Sequence, residues 1–346
     1  DYSGQKGIAT SIGHAPVSAL IDSKKGSNTA IAESLTNIVF APLEKGLQSI
    51  SLSANWMWPC NNPGEDARLY DAVEECSNFA IKLGINIPTG KDSLSMKQKY
   101  PDGEVLAPGT VIISAAGQCT DIKNIITPVA QIDGGDFYYI DFSKDDFHLG
   151  GSSFGQLQNR IGTKTPSVQD PKYFKKAFNT IQAHIKNGGI SAGHDIGSGG
   201  LIISLLELCF PSISVGMELD FKLINEKDLI KILFSEKVGV VLQSNKNLTA
   251  SFAEEGINAV KVGSANSSGM LKFEEFNLQV NELRKIWMST SSKLELKQTR
   301  SELGSKRLEN VIKQPLVFKF PENFDGKTPR YKSKRIKAAV LREKGS

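Results

Sequence analysis

The chain has 346 residues, of which 40% are hydrophobic and 23% are charged, and its formal net charge is +4. These proportions are typical of a globular chain with more than one domain and argue against a largely disordered one. No eighteen consecutive residues are apolar, so we predict no membrane-spanning helix and no membrane partner. The first residues do not resemble a secretion signal, and we expect the sequence to be cut from a longer chain.

Two features of composition bear on compartment and partners. The basic run at 332–337 has only Tyr331 as an aromatic neighbour, so it predicts a solvated linker rather than a nucleic-acid-binding patch. The four cysteines form no C-x-x-C pair, which argues against a zinc ribbon and against a disulfide scaffold. Unpaired cysteines suit a reducing compartment, and we predict the cytoplasm.

The sequence pattern from residue 16 to residue 118 predicts one α/β unit. The apolar run 16–21 has the length of a strand, and Ser27 or Asn28 is placed to cap a helix that ends near Pro42. Residues 47–55 are strand-like, and a longer helix opens at residues 63–66 with acids in its first turn. The remaining predictions place Val73, Cys76 and Ala80 on one side of that helix, its end at Gly84, a short strand at 85–88, a loop at 89–93 and a buried strand at 109–117.

The pattern changes near residues 121–128, where we place a domain boundary. A strand at 137–141 opens the second unit, followed by a glycine-rich loop at 149–155 and a helix at 172–187. An apolar helix then runs to about residue 208, and further strands are predicted at 238–243 and 259–262. From about residue 287 the sequence becomes polar, which indicates a helix or linker.

The motif H-D-I-G-S-G-G at 194–200 lies between a strand-like run and an apolar helix. Backbone amides in such a turn can converge on phosphate oxygens, and Asp195 could hold a hard cation against them. The alternative is a tight connector that needs glycines for its geometry. From the residues alone the two interpretations have about even odds.

Glu33 and Asn37 are four residues apart on the first predicted helix, so they share one side of it, opposite its apolar face. An ordinary solvated face is the favoured interpretation when this pair is considered alone. The loop T-G-K-D-S offers a cation and a hydroxyl at Gly90, Lys91 and Ser93, which suits an anionic substrate, although the order is not that of a Walker A loop. A salt-bridged turn is the alternative.

Six stretches together resemble one enzyme family, the large single-chain formylglycinamide ribonucleotide amidotransferases. The resemblance covers nearly the whole chain and is strongest in the first 120 residues. The stretches are A-I-A-E-S-L-T-N, L-S-A-N-W-M-W-P, P-G-E-D-A-R-L-Y-D-A-V, I-P-T-G-K-D-S-L-S-M, A-P-G-T-V-I-I-S-A-A-G and H-D-I-G-S-G-G-L.

The resemblance implies an α+β fold in which an antiparallel-sheet α/β domain is followed by a second α/β domain, as in one half of an aminoimidazole ribonucleotide synthetase-like core. The chain would be the second synthase half with its linker. We therefore predict four segments: an N-terminal domain at 1–121, a C-terminal domain at 122–286, a linker at 287–336 and the truncated start of a glutaminase domain at 337–346.

The resemblance also implies the function. The parent enzyme would be an ATP-dependent amidotransferase that converts formylglycinamide ribonucleotide (FGAR), glutamine and ATP to formylglycinamidine ribonucleotide in de novo purine biosynthesis. ATP activates the formamide oxygen as a phosphate, which ammonia from glutamine then displaces. The chain alone would not make the amidine, and the alternative is an inactive nucleotide-binding or assembly module.

By the same resemblance, Glu33, Asn37 and Asp195 would bind Mg²⁺ beside ATP or ADP, while a further metal-binding Asp of the family falls before residue 1. Gly197 occupies the position of a family serine that contacts the nucleotide. Phosphate contacts are expected from Gly197, Ser198 and Gly199, and at the other of two nucleotide sites from Gly90, Lys91 and Ser93. Which site the Glu33 group lines is left open, and no catalytic residue is assigned. The sheet of the first domain would pair two copies of the chain into a homodimer.

Overall fold

The fold is that of a computed structural model, which describes residues 4–311 together with residues 313, 322 and 339. Its first unit contains six strands and three α-helices, with one 3₁₀ helix at Gly46–Ser49. In chain order the strands and α-helices are β1 (Gly7–His14), α1 (Pro16–Ile21), α2 (Ser23–Ile38), β2 (Ile50–Met57), α3 (Glu65–Leu83), β3 (Asn86–Ser93), β4 (Lys97–Tyr100), β5 (Gly103–Leu106) and β6 (Thr110–Cys119).

The first unit is built on a four-stranded sheet in the order β1-β6-β2-β3, and β4 and β5 form a separate hairpin. The neighbouring strands are antiparallel except for β2 and β3, which are parallel. Helices α2 and α3 cover one face of the sheet. Burial alternates along β6, where Val111, Ile113 and Ala115 are buried under the helices and Ser114 and Ala116 are exposed. The second face of the sheet is therefore open.

Helix α3 follows its sequence signals. Glu65 and Asp66 occupy the first turn, where carboxylates oppose the positive end of the helix dipole, and Gly84 ends the helix in the left-handed conformation. Cys76 and Ala80 are buried as predicted, but Val73 is exposed. The buried side is centred on Ala72, Phe79 and Leu83 instead. It is rotated about the helix axis from the predicted side by about the angle between consecutive residues.

The start of the chain differs from the prediction. Residues 16–21 form helix α1 instead of a strand, because Pro16 occupies a first-turn position that needs no N–H donor. Helix α2 begins earlier than predicted, at Ser23, where the Asp22 side chain accepts a hydrogen bond from the Lys25 N–H at 3.0 Å. The edge strand β1 was not predicted. Its residues alternate in burial, but several of them are glycine, serine or threonine, so the apolar signal is weak.

The second unit carries a seven-stranded sheet in the order β13-β12-β9-β11-β7-β10-β8. The pairs are antiparallel except for β9 and β12. In chain order the elements are β7 (Asp136–Asp141), α4 (Ser153–Leu157), α5 (Pro171–Lys186), β8 (Ala192–Asp195), α6 (Gly200–Cys209), β9 (Gly216–Leu219), α7 (Leu229–Phe234), β10 (Gly239–Ser244), α8 (Leu248–Glu254), β11 (Ala259–Asn266), β12 (Met270–Phe273) and β13 (Phe276–Gln279). With the first unit, this arrangement gives the α+β fold expected from the sequence.

Strand β7 separates two hydrophobic cores. Phe137 and Tyr139 face the core under α6, whereas Tyr138 and Ile140 face a core that also contains α5. The core that contains Tyr138, Ile140 and residues of α5 also contains residues of the first unit, such as Leu35. The first sheet ends at Cys119 and the second begins at Asp136, on either side of the predicted boundary, but the two units share one core across it.

A buried glutamine ties the two units together. Gln182 of α5 is 3% exposed. Its side-chain oxygen accepts the Leu43 N–H at 2.8 Å, and its amide group donates to the carbonyl oxygens of Val39 at 2.6 Å and Ala41 at 2.9 Å. Three backbone groups of the first unit therefore depend on one side chain of the second unit.

We expect Gln182→Ala to lower the free energy of unfolding by about 3 kcal/mol, because it leaves buried donors and acceptors without partners at ~1–3 kcal/mol each. Urea unfolding monitored by circular dichroism measures the change. Gln48→Ala is the control, since Gln48 is exposed and near the same segment. Equal stabilities of the two variants would contradict the role given to Gln182.

Two helices follow the second sheet, α9 (Val280–Gln298) and α10 (Ser301–Asn310). Helix α9 runs without a break through the predicted boundary between residues 286 and 287. The predicted glutaminase strand at 337–346 lies outside the described residues apart from Ala339. Within the described part of the chain, no helix is both long and apolar enough to cross a membrane.

Candidate active site

A cleft of about 290 Å³ opens between the β1–α1 segment of the first unit and three loops of the second. One wall comes from the turn between β1 and α1 and from the side of α2. The opposite wall comes from the loop before α4, the loop between β8 and α6, and the segment before β10. The lining residues are His14, Ala15, Pro16, Val17, Ser18, Thr29, Glu33, Gly151, Ser153, Gln156, Ile196, Gly197, Ser198, Glu236 and Val238.

Helix α2 brings Glu33 into this cleft, whereas the exposed Asn37, one turn further on, lines a neighbouring cavity beside the first sheet. The Glu33 Oε2 atom accepts the backbone N–H of His14 at 2.8 Å, which fixes the carboxylate beside the end of β1. One turn further along the helix, the Asn37 Nδ2 atom lies 3.5 Å from Oδ2 of Asp195. The structure thus brings Asp195 next to the helix that carries the other two predicted metal ligands, although it is 158 residues from Asn37 in sequence.

Asp195 is the last residue of β8, and its neighbours hold its backbone in place. The carbonyl oxygen of Asp195 accepts the Ser204 hydroxyl at 2.8 Å and lies 2.6 Å from Nδ1 of His194. The other ring nitrogen of His194, Nε2, is 3.4 Å from the carboxylate of Glu207. Of the two carboxylate oxygens of Asp195, Oδ1 is 3.4 Å from His194 Nδ1 and Oδ2 faces Asn37.

The glycine-rich loop from Ile196 to Gly200 contains two glycines that its geometry requires and one that it does not. Gly199 and Gly200 have φ values of +90° and +76°, which favour glycine, and a Cβ on Gly200 would lie 2.6 Å from the Leu233 carbonyl oxygen. These two glycines serve the geometry of the connection. Gly197 has no such constraint, and its ideal Cβ position is 3.8 Å from Glu33 Oε1, so its missing side chain leaves space in the cleft.

Glu236 is part of the cleft and was not identified from the sequence. Its Oε1 atom accepts the backbone N–H of Ser153 at 2.7 Å and the backbone N–H of Gly199 at 2.8 Å. The sequence around it, F-S-E-K-V-G, has no motif or periodicity that marks a site. Ser153 lies in the predicted glycine-rich loop 149–155, so that loop was the only signal for this part of the cleft.

The cleft is electrostatically negative. Its lining includes Glu33 and Glu236 and, among the described residues, no lysine or arginine. Burial, aided by the carboxylates of Asp195 and Glu236, raises the pKa of Glu33 to about 7 against the lowering effect of the His14 hydrogen bond. Carboxylate and amide oxygens with unbalanced negative charge are a donor set that suits a hard divalent cation. Within the described residues, however, no three His, Cys, Asp or Glu side chains form a metal-binding group. A cation here would therefore depend on Asn37.

The raised pKa of Glu33 predicts a pH-dependent stability in metal-free protein. Below about pH 4.5 the carboxyl is protonated in both folded and unfolded chains. Between about pH 4.5 and 7 only the unfolded chain loses the proton, so stability falls as pH rises, by at most about 3 kcal/mol, and it falls no further above pH 7. Glu33→Gln should abolish this loss and be more stable than wild type at pH 8.

Urea unfolding with a chelator at pH 5 and pH 8 measures the effect. Glu44→Gln serves as the control, since Glu44 is exposed and outside the cleft. If wild type and Glu33→Gln lost the same stability between the two pH values, the buried, raised-pKa state of Glu33 would be disproved.

The other predicted nucleotide-contacting residues lie at the far edge of the first sheet. Gly90, Lys91 and Ser93 belong to strand β3, so the predicted loop at 89–93 is wrong, because this segment pairs with β2. Gly90 is needed there for close approach, since a Cβ would lie 2.3 Å from the Ala54 carbonyl oxygen. The Lys91 Nζ atom donates to Ser93 Oγ at 2.6 Å. These residues are thus on edge strand β3, whereas the Glu33 carboxylate lies beside the end of the other edge strand, β1.

The open face of the first sheet differs from the apolar face expected for dimerisation. Of the apolar runs 111–113 and 50–52, only Ile112 and Ser51 lie on the open face, because alternation along each strand turns the others towards the helices. The open face carries small and hydroxyl side chains with a few isoleucines. Its exposed apolar residues include Ile8 and Ile12.

Comparison with known families matches the two units separately. Residues 1–118 match the FGAR-AT PurM_N-like domain, and residues 143–274 match the C-terminal domain of AIR synthase related proteins.

Curated relatives cover nearly the whole chain. A probable phosphoribosylformylglycinamidine synthase of Arabidopsis thaliana, described as chloroplastic/mitochondrial, is 34% identical over 98% of this chain and 25% of its own length. The phosphoribosylformylglycinamidine synthase of Homo sapiens is 31% identical over 98% of this chain and 26% of its own. The chain therefore spans about a quarter of the length of these relatives.

Solved structures share the fold at low sequence identity. Thermotoga maritima PurL complexed with FGAR matches 81% of this chain and 46% of its own with a TM-score of 0.61 at 14% identity. The same protein complexed with ATP matches 81% of this chain and 44% of its own with a TM-score of 0.58, also at 14% identity.

Proposed function

This chain belongs to the phosphoribosylformylglycinamidine synthase family, and we propose that it is one segment of an ATP-dependent ligase acting in purine biosynthesis. That enzyme converts FGAR, glutamine and ATP to formylglycinamidine ribonucleotide. Two kinds of evidence support the proposal: relatives of that name align with 98% of the chain, and the chain folds like PurL proteins that have been solved with ATP and with FGAR. ATP and FGAR are accordingly the proposed small-molecule partners.

The observation that carries the proposal is that Glu33 of α2 and the glycine-rich loop line one negatively charged cleft, with Asp195 directly before that loop and 3.5 Å from Asn37 of the same helix. We assign the cleft to a nucleotide, ATP or ADP, held with Mg²⁺. Glu33, Asn37 and Asp195 would hold the cation. When bound, it would neutralise charge on the phosphates, which the carboxylates of the cleft would otherwise repel.

The residues of the glycine-rich loop have separate proposed roles. Gly197 and Ser198 line the cleft and would present backbone amides to phosphate oxygens. Gly199 was assigned the same role, but its N–H already donates to Glu236, so it would shape the loop rather than contact the nucleotide directly. Gly90, Lys91 and Ser93 stay proposed contacts of a second anionic group, on the opposite edge strand of the sheet.

The proposed assembly is a homodimer through the open face of the first sheet. The two edge strands and the uncovered face of this sheet leave β-sheet surface that a second copy could cover, with the same surface on both partners.

We propose neither nucleic acid nor membrane as a partner. The cytoplasm stays the proposed compartment, which the four free cysteines support, although the Arabidopsis relative is described as chloroplastic/mitochondrial.

Calorimetric titration of the full chain with ADP and with ATP, in the presence and absence of Mg²⁺, tests the nucleotide assignment. We expect binding that requires Mg²⁺, because the cleft offers carboxylates and no lysine or arginine among its described lining residues. Failure of both nucleotides to bind with Mg²⁺, or equal binding without it, would contradict the assignment.

A further inference from the structure

Glu236 joins two loops that are far apart in sequence. One oxygen of its carboxylate, Oε1, accepts hydrogen bonds from the N–H groups of Ser153 and Gly199, at 2.7 and 2.8 Å. Ser153 begins α4, and Gly199 precedes α6. Because both loops line the cleft, a single carboxylate oxygen connects two parts of its wall.

The residues on either side of Glu236 anchor the same region. The Ser235 hydroxyl donates to the His148 carbonyl oxygen at 2.8 Å, at the start of the loop that leads to Ser153. The buried ammonium of Lys237 lies 3.0 Å from the Asp141 carboxylate at the end of β7. Three consecutive side chains thus fasten one segment to its surroundings, and Glu236 is the member that reaches the glycine-rich loop.

The contact also fixes which backbone groups are available in the cleft. The Gly199 N–H points at Glu236, and Gly199 holds a φ of +90°. The anchor at Gly199 restrains Gly197 and Ser198 from one side, and the hydrogen bond from the Ile196 N–H to the Gly239 carbonyl oxygen, at 2.9 Å, restrains them from the other. Without it, the loop would keep the hydrogen bond from the Ile196 N–H to the Gly239 carbonyl oxygen at 2.9 Å and its internal bond from the Gly200 N–H to the Gly197 carbonyl oxygen at 3.1 Å, but no contact with the loop before α4 through Glu236.

We propose that Glu236 is a positioning residue that locks the glycine-rich loop against the loop before α4 and so orients the Gly197 and Ser198 amides towards a bound phosphate. The proposal rests on the proposed nucleotide site. Glu236 acts through the loop and does not itself contact the phosphate, because a carboxylate and a phosphate repel each other.

Two variants separate the hydrogen-bonding role from the charge. Glu236→Gln keeps a side-chain oxygen that can accept both N–H groups, and Glu236→Ala removes it. Glu226→Ala is a matched control, because the Glu226 Oε1 atom also accepts two backbone N–H groups, at 2.7 and 3.0 Å, but both lie in its own turn outside the cleft. Amide hydrogen exchange at Ser153 and Gly199, followed by NMR on the full chain, and the Kd for Mg·ADP are measured for each variant.

We expect Glu236→Ala to speed exchange at both amides by about ten-fold or more and to raise the Kd for Mg·ADP by about ten-fold or more, as loss of a supporting contact does at metal sites. Glu236→Gln should stay within about three-fold of wild type on both measures, and so should Glu226→Ala.

Unchanged exchange at Ser153 and Gly199 in Glu236→Ala would overturn the proposal, as would a changed exchange with an unchanged Kd. If wild type itself does not bind Mg·ADP, the proposed nucleotide site fails and the positioning role fails with it, whereas the exchange data would still report whether Glu236 links the two loops. The two failures are therefore distinguishable.

Discussion

Replacing Asp195 with asparagine is expected to weaken binding of Mg·ADP to this chain by about a thousand-fold, or about 4 kcal/mol. The substitution keeps the size of the side chain and its place opposite Asn37, which lies 3.5 Å away. It removes one of the negative charges that would face the cation. At an effective dielectric constant of about 20, two unit charges ~4 Å apart attract each other by about 4 kcal/mol. The attraction to a divalent cation is larger, but the loss of hydration around both ions offsets part of it, so about 4 kcal/mol is the expected net effect.

The measurement is calorimetric titration with Mg·ADP, beside Asp133→Asn as the control. Asp133 undergoes the same chemical change on an exposed loop away from the cleft. A purely structural effect of the Asp195 change would appear as a lower melting temperature without nucleotide. Tight binding by Asp195→Asn, within about ten-fold of wild type, would show that Asp195 holds no cation beside the nucleotide.

The fold was predictable where local signals and tertiary packing agree. Helix α3 carries acids in its first turn, a glycine at its end and an apolar stripe, and it forms where the sequence places it. Strand β6 forms where a buried strand was predicted, at 109–117, although its burial alternates and only one of its faces is covered. The error at residues 16–21 has a physical cause: a short, mostly apolar run suits a strand or a buried helix equally, and the position of Pro16 decides between them only once the flanking strand is known.

The candidate site was predictable in part. Glu33 and Asn37 looked like an ordinary solvated helix face, and only the resemblance to a family marked them for a role. The structure then places Asp195 beside them, a contact across 158 residues that no local pattern contains. Glu236 was missed because its function in the cleft is to accept two backbone N–H groups, and such acceptors leave no motif in the sequence.

The shared core explains why the site can be precise. Residues of α2 and α5 pack in one hydrophobic cluster, and Phe79 of α3 meets Phe174 of α5 at a ring separation of 6.0 Å. Gln182 adds hydrogen bonds across the same contact. Two units joined this way hold the Glu33 helix and the Asp195 loop at a fixed separation, which a cation site between them requires.

Replacing Ile12 with lysine is expected to convert the proposed homodimer of this chain to monomer, with a dissociation constant at least about a thousand-fold higher. Ile12 lies on β1, is 59% exposed and occupies the open face with Ile8, which is 79% exposed. In a two-fold interface the substitution occurs twice, and each lysine would have to leave water on a surface of small hydroxyl side chains. A stable interface of this kind should bury more than about 1,000 Å².

Sedimentation equilibrium at micromolar concentration distinguishes the two states. The matched control is Ile213→Lys, because Ile213 is 58% exposed but lies on a loop of the second unit, away from the first sheet. Wild type and Ile213→Lys should sediment as dimers and Ile12→Lys as a monomer with an unchanged circular dichroism spectrum. A monomeric wild-type chain, or an Ile12→Lys variant that remains dimeric, would show that the open face is not the surface that joins two copies.

Because the face is mostly Ser, Thr and Ala, with few isoleucines, most of the apolar contribution to dimer stability should come from residues such as Ile8 and Ile12, at ~25 cal/mol per Å² of apolar area buried.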